Sequence, residues 1–150
     1  MKFKSTDDAL DFAIKNEEEA YAFYTDLADK ASNPTLADTM RAFAEEEKGH
    51  KAKLLEVKSG KKLISAESRV VDLKIGDYLV EAEPSPNMTY QEALILAMKK
   101  EKAAFKLYNA LAASTDDGGL QEVFLAIAQE EAKHKLRFEM EYDDQIMTDN

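Results

Sequence analysis

Two short stretches of this chain carry the same potential chemistry. Ala44-Glu45-Glu46-Glu47-Lys48-Gly49-His50-Lys51 is echoed by Ala128-Gln129-Glu130-Glu131-Ala132-Lys133-His134-Lys135, and each holds a Glu with a His three residues on. On a helix that spacing puts both side chains on one face, one turn apart. A carboxylate oxygen and an imidazole nitrogen can then reach one metal ion. The chain contains two His, and both stand in this relation to a Glu: Glu47/His50 and Glu131/His134. Mixed carboxylate and imidazole donors suit iron, manganese or zinc better than calcium or magnesium.

The two copies lie 84 residues apart, and a longer repeat shares that interval. Residues 5–51 laid on 89–135 without a gap give sixteen identities in forty-seven positions. Average composition gives roughly one match in fifteen by chance. The matches include Leu10/Leu94, Ala13/Ala97, Ala20/Ala104, Leu27/Leu111 and Leu36/Leu120, together with Glu17/Glu101 and Tyr24/Tyr108. The chain therefore reads as two helical hairpins of one design.

The elements that must position these groups follow from apolar periodicity. Apolar residues recurring every three or four positions predict helices over about 6–31, 34–59, 90–114 and 118–145, with the last few residues fraying. Ser5 with Asp8, and Thr89 with Glu92, are capping pairs, and Asn33-Pro34 opens the second helix. Ser59-Gly60 closes that helix, and the run from Ser114 to Gly119 is a turn. Short links make each pair of helices antiparallel neighbours. Residues 60–88 are mixed, with Val70, Val71, Leu73 and Ile75, then Gly76-Asp77-Tyr78, then Pro84-Ser85-Pro86-Asn87. A short helical turn is predicted over 75–81. The second helix is roughly 39 Å long at ~1.5 Å per residue, so a connection of this length suits a crossover running back along it. The expectation is one all-α domain over 1–150: an antiparallel four-helix bundle of two pseudo-symmetric hairpins joined by a long crossover.

In such a bundle Glu17, Glu47, His50, Glu101, Glu131 and His134 interrupt apolar stripes near mid-helix and point at one place. Four carboxylates crowded into an apolar core would hold on to protons, and two divalent cations remove the problem. One Glu from each of two helices plus Glu-x-x-His from each of the other two is a ligand set for a metal pair in bundle cores. Each residue alone has a plainer reading, as a solvated Glu or a satisfied core His. Six polar residues at seam positions, paired across an ungapped repeat, are hard to obtain from surface composition. Tyr24 and Tyr108 stand seven residues after Glu17 and Glu101 on the same faces, either as core aromatics or with hydroxyls reaching ligands on neighbouring helices. Glu46 and Glu130 also repeat, and read as surface charge.

A formal net charge of -10 argues against nucleic acid and anionic membrane as partners. The absence of Cys excludes disulfides, thiolate chemistry and Cys-ligated iron within these 150 residues. The first residues contain no signal-like apolar run, and none of ~20 residues occurs later, so a cytoplasmic location is expected.

At Glu17-Glu18-Glu19-Ala20-Tyr21-Ala22-Phe23-Tyr24, Glu101-Lys102-Ala103-Ala104-Phe105-Lys106-Leu107-Tyr108 and the two Glu-x-x-His helices, the chain resembles the rubrerythrin-like branch of the ferritin-like superfamily. The resemblance implies a ferritin-like bundle with a di-iron centre that reduces hydrogen peroxide or dioxygen by two electrons. It implies that Glu47 and Glu131 bridge the two ions, that Glu17 and Glu101 are terminal ligands, and that His50 and His134 take one ion each. Tyr24 and Tyr108 would support the centre as catalytic neighbours. Two departures stand out. Rubrerythrins proper carry a further carboxylate on the third helix where this chain has Ala104, and a Cys-ligated iron domain that this chain lacks. Electrons then come from a separate protein, and the nearly symmetric six-ligand set looks closer to the oxidase centre of bacterioferritins. A homo-oligomer, a dimer, is the expected assembly. The alternative is a non-catalytic metal-binding or iron-handling protein holding iron, manganese or zinc.

Overall fold

The computed structural model describes residues 2–60, 73–80 and 88–149. Among these, the apolar stripes become four α-helices: α1 (Thr6–Lys30), α2 (Pro34–Gly60), α3 (Tyr90–Ala113) and α4 (Gly118–Asp149). The start signals act as their chemistry requires. Ser5 Oγ accepts from the Asp8 N–H, Asn33 Oδ1 from Leu36, and Asp117 Oδ1 from Leu120, each satisfying a donor that the first turn leaves bare. Thr89 and Glu92 form the full reciprocal capping box. Asp8 does not complete one: its carboxylate accepts instead from the Lys4 N–H. At the far end α4 continues to Asp149, a turn beyond the expected 145. No Gly or Pro follows Leu120 to stop it, and Tyr142 still packs against the core.

Helix α1 packs along α2 and α3 along α4, with α1 against α3 and α2 against α4 across the bundle. Helix direction follows from which ends share a core. Ala9, Leu10 and Ala13 from the start of α1 join Leu107 and Leu111 from the end of α3, while Leu54 and Val57 from the end of α2 join Leu120 and Phe124 from the start of α4. Thus α1 opposes α3, α2 opposes α4, and α2 and α3 run the same way. A chain leaving α2 must therefore travel the length of the bundle before α3 can begin.

The described part of the crossover makes that journey. The Phe3 N–H donates to the Leu73 carbonyl at 3.3 Å, and Tyr78 is buried among the first cluster. Val80 and Met88 pack against a second cluster, built from Tyr24, Leu27, Leu36, Met40, Leu94 and Phe138 at the opposite end. The helical turn expected over 75–81 is a short 3-10 turn, Ile75–Asp77. Residues 61–72 and 81–87, with Val70, Val71 and the Pro84 and Pro86 region, lie outside the described residues. No helix among the described residues is long and apolar enough to cross a membrane.

The core is thus two apolar halves, and what separates them is polar. Glu17, Glu47, His50, Glu101, Glu131 and His134 form the layer between, each no more than 3% exposed.

Candidate metal centre

Each helix delivers its share of this layer from near its midpoint. α1 contributes Glu17, α3 contributes Glu101, and one turn of α2 and of α4 contributes Glu47 with His50 and Glu131 with His134. Their oxygens and nitrogens converge into two sets. Ligand atoms of Glu17, Glu47, His50 and Glu131 lie within 4.8 Å of one another, and so do those of Glu47, Glu101, Glu131 and His134. Glu47 and Glu131 belong to both sets.

The separations within the sets are those of ligands around an ion. His50 Nδ1 stands 3.3 Å from Glu131 Oε1, 3.4 Å from Glu47 Oε1 and 3.5 Å from Glu17 Oε2. His134 Nδ1 stands 3.3 Å from Glu47 Oε1, 3.7 Å from Glu101 Oε2 and 3.8 Å from Glu131 Oε1. Four ligands held tetrahedrally at ~2.1 Å from one ion are roughly 3.4 Å apart. The same six atoms, Glu17 Oε2, Glu47 Oε1, His50 Nδ1, Glu101 Oε2, Glu131 Oε1 and His134 Nδ1, are buried and make no hydrogen bond. Buried polar atoms left bare are costly, and here they face one another in two overlapping sets. The donor chemistry and the orphaned atoms fit a pair of divalent cations.

Electrostatics support the same reading. Burial, and then the Glu131 charge, raise Glu17 to about 6. Burial, and then Glu47, raise Glu131 to about 8, while burial and Glu131 hold Glu101 well above the ordinary carboxylate range. Burial alone would lower both imidazoles. The carboxylates outweigh it, lifting His134 to about 11 through Glu101 and Glu47, and raising His50 through Glu131, Glu17 and Glu47. Without cations, then, this cluster retains protons.

A second ring of contacts holds the histidines, and it overturns the reading of Glu46 and Glu130 as surface charge. His50 Nε2 lies 2.5 Å from Glu130 Oε2 and His134 Nε2 lies 2.5 Å from Glu46 Oε2, each pair crossing between α2 and α4. With Nε2–H donating to a carboxylate, a neutral ring must present its Nδ1 lone pair to the cluster. Both Glu side chains are nearly half exposed, which is why composition disguises them. Their sequence signal was the repeat itself, in which Glu46 and Glu130 are an identical pair.

The two tyrosines part company. Tyr108 on α3 donates its hydroxyl to Glu17 Oε1 at 2.5 Å. Burial, and next the Glu17 charge, keep its phenol well above its usual pKa, so it stays a donor. Tyr24 is fully buried, but its hydroxyl has no hydrogen-bond partner among the described residues. Its ring lies edge-on to His134 at 6.1 Å. Phe43 stacks on His134 at 4.1 Å, whereas the repeat puts Ile127 at the corresponding position in the other hairpin. The halves share their ligands and much of their apolar stripe, but differ at the position that stacks on His134.

On the side away from the histidines, a cavity of about 190 Å3 opens between α1 and α3 onto Glu17, Glu47, Glu101 and Glu131.

The rubrerythrin family model matches residues 8–87 and 92–147, nearly the whole chain. No curated protein matches the sequence. Among solved structures, a protein from Thermotoga maritima described as a ferritin-like diiron-carboxylate protein aligns with a TM-score of 0.78 over 97% of this chain and 99% of that one, at 21% identity. A hypothetical protein from Pyrococcus furiosus aligns with a TM-score of 0.72 over 90% of this chain and 86% of that one, at 27% identity.

Proposed function

The chain belongs to the rubrerythrin family, and from that premise we propose that it is a di-iron carboxylate oxidoreductase reducing hydrogen peroxide or dioxygen. One observation carries the reading: six buried, unpartnered ligand atoms form two sets that share Glu47 and Glu131. In this reading Glu17 and His50 hold one ion, Glu101 and His134 the other, and Glu47 and Glu131 serve both. When bound, two iron ions supply two electrons to an oxidant at open coordination positions.

The chain's own residues do the rest. Glu46 and Glu130 fix the imidazole tautomers and hold Nδ1 inward. Tyr108 fixes the rotation of Glu17 and leaves its other oxygen free for the centre. The four-carboxylate side carries the cavity, so an oxidant approaches opposite the histidines. A separate electron-donor protein is the proposed source of re-reduction, and a cytoplasmic homodimer the proposed setting.

Purified protein loaded without air with two ferrous ions per chain should change its near-ultraviolet absorption on adding peroxide, and revert with reductant. Absence of any change at full loading removes the proposal. Replacing Glu46 or Glu130 with Ala should weaken metal binding by about 10–100-fold, as loss of a carboxylate behind a ligating His does elsewhere. Calorimetric titration with zinc reads that change, and the helical circular dichroism of the metal-free variants should match the wild type.

A second reading, an iron-handling protein without turnover, draws on the same ligands and on Ala104, where rubrerythrins proper carry a further carboxylate. It predicts one round of oxidation and no steady-state peroxide consumption with donor present.

A further inference from the structure

The cavity above the carboxylates, about 190 Å3, is larger than a two-atom oxidant needs. Phe12, Ala20, Leu79, Val80, Ala103 and Ala104 give it apolar wall, Lys15, Asn16, Glu19 and Lys100 give it polar wall, and the four carboxylates complete the lining. A chamber of about 150 Å3 lined by apolar side chains takes up a six-carbon ring in another protein, whereas one water needs only ~10–15 Å3. The space has an identifiable origin. Ala20 and Ala104 are a matched pair of the repeat, each three residues after a terminal Glu, and so each lies over the centre on the same side. Any longer side chain at either position would fill the room directly above Glu17 or Glu101. Leu79, on the crossover at the cavity, is 54% exposed, an apolar surface that an occupant would cover.

We propose that this cavity binds small alkyl hydroperoxides, of roughly four to six carbons, as the oxidising substrate, with the alkyl group against the alanines and Leu79 and the O–O group toward the carboxylates. The proposal rests on the oxidoreductase reading and narrows its substrate class. The hydroperoxide accepts two electrons and two protons, its O–O bond breaks, and it leaves as one alcohol and one water. The electrons come from two ferrous ions, which end ferric and are restored by an external one-electron donor. The protons come from solvent. Hydrogen peroxide has no apolar part to gain from these walls, so selectivity between the two oxidants resides in Ala20 and Ala104.

The test separates binding from turnover. Protein loaded with redox-inert zinc is titrated with tert-butyl hydroperoxide while the methyl signals of Ala20 and Ala104 are followed by NMR. Saturable shifts are expected, and loss of the Ala20 shift in Ala104→Leu with both zinc ions retained. In the iron form, Ala104→Leu and independently Ala20→Leu should lower the ratio of kcat/KM for tert-butyl hydroperoxide over hydrogen peroxide by about tenfold or more. No saturable shift in the wild-type zinc form overturns the proposal, whether or not the variants fold. An unchanged ratio in a correctly loaded variant overturns it too. Binding to the zinc form without turnover of either peroxide by the iron form overturns the oxidoreductase reading and leaves the binding site standing. Turnover of hydrogen peroxide without binding does the reverse.

Discussion

At pH 9, Glu131→Gln should make the metal-free protein harder to unfold than the wild type while depriving it of its response to metal. The two effects have one cause. Glu131 is 1% exposed and lies beside Glu47, and burial and that neighbour raise it to about 8. In an unfolded chain it titrates near ~4.3. A carboxyl whose folded pKa is raised stabilises the fold while it stays protonated, below its unfolded value, and that contribution is lost as pH climbs through about 8. At pH 9 the wild type therefore carries a penalty on the order of a few kcal/mol that Gln does not, or roughly 5–10 °C in Tm for a chain of this size. At pH 4 both side chains are neutral, and the two proteins should melt together.

Metal reverses the order. An ion present at ~1,000 times its Kd stabilises by about 4 kcal/mol, so the loaded wild type should melt about 10 °C or more above its metal-free form. Glu131 belongs to both ligand sets, so Gln weakens both positions at once, and the variant should lose most of that rise. Thermal melts of both proteins at pH 4 and 9, with and without zinc, measure all of this. A wild type whose Tm ignores metal would show that the cluster is a core oddity. A Gln variant no more stable than wild type at pH 9 without metal would show that Glu131 is not the strained acid its surroundings make it.

Much of this architecture is legible in the sequence because it rests on local rules and on a repeat. The caps at Ser5, Asn33 and Thr89 need only short-range hydrogen bonds, and the helices start where those residues stand. The six central polar residues show themselves as interruptions of apolar stripes, doubled 84 residues apart, and the structure brings them into one buried layer. What escapes is whatever depends on one helix meeting another. Glu46 lies on the same helix as His50, yet it contacts His134 on α4, and Glu130 does the mirror of this. No spacing within one helix encodes that exchange. Tyr24 and Tyr108 are equivalent in the repeat, but Phe43 faces His134 where the other hairpin offers Ile127, and only Tyr108 reaches a carboxylate. The cavity is invisible in sequence for a similar reason: an Ala reads as packing until its neighbours are known to leave space.

The second large effect is on protons. Taking up two divalent cations at pH 7 should release several protons per chain, because Glu131, His50 and His134 are raised into the protonated range there and burial raises Glu101 in the same direction. Glu17, at about 6, is already mostly ionised and adds little. Calorimetric titration in two buffers of different ionisation enthalpy reads the number directly. Each proton that must leave lowers apparent affinity by about tenfold per pH unit below its pKa, so binding should strengthen steeply from pH 5 to 8. Above about 8, where Glu131 loses its proton, the slope should ease, with His134 still contributing up to about 11. The sign for the metal-free fold is opposite. Both raised imidazoles and raised carboxyls bind more protons folded than unfolded, so its stability should fall as pH rises from about 4 toward 11. A protein that gains metal and loses apo-stability over the same pH interval is one whose protons and cations compete for a single void. Release of fewer than one proton, with a flat affinity profile, would mean that the carboxylates stand ionised without help, and that cations are not what this core is built to hold.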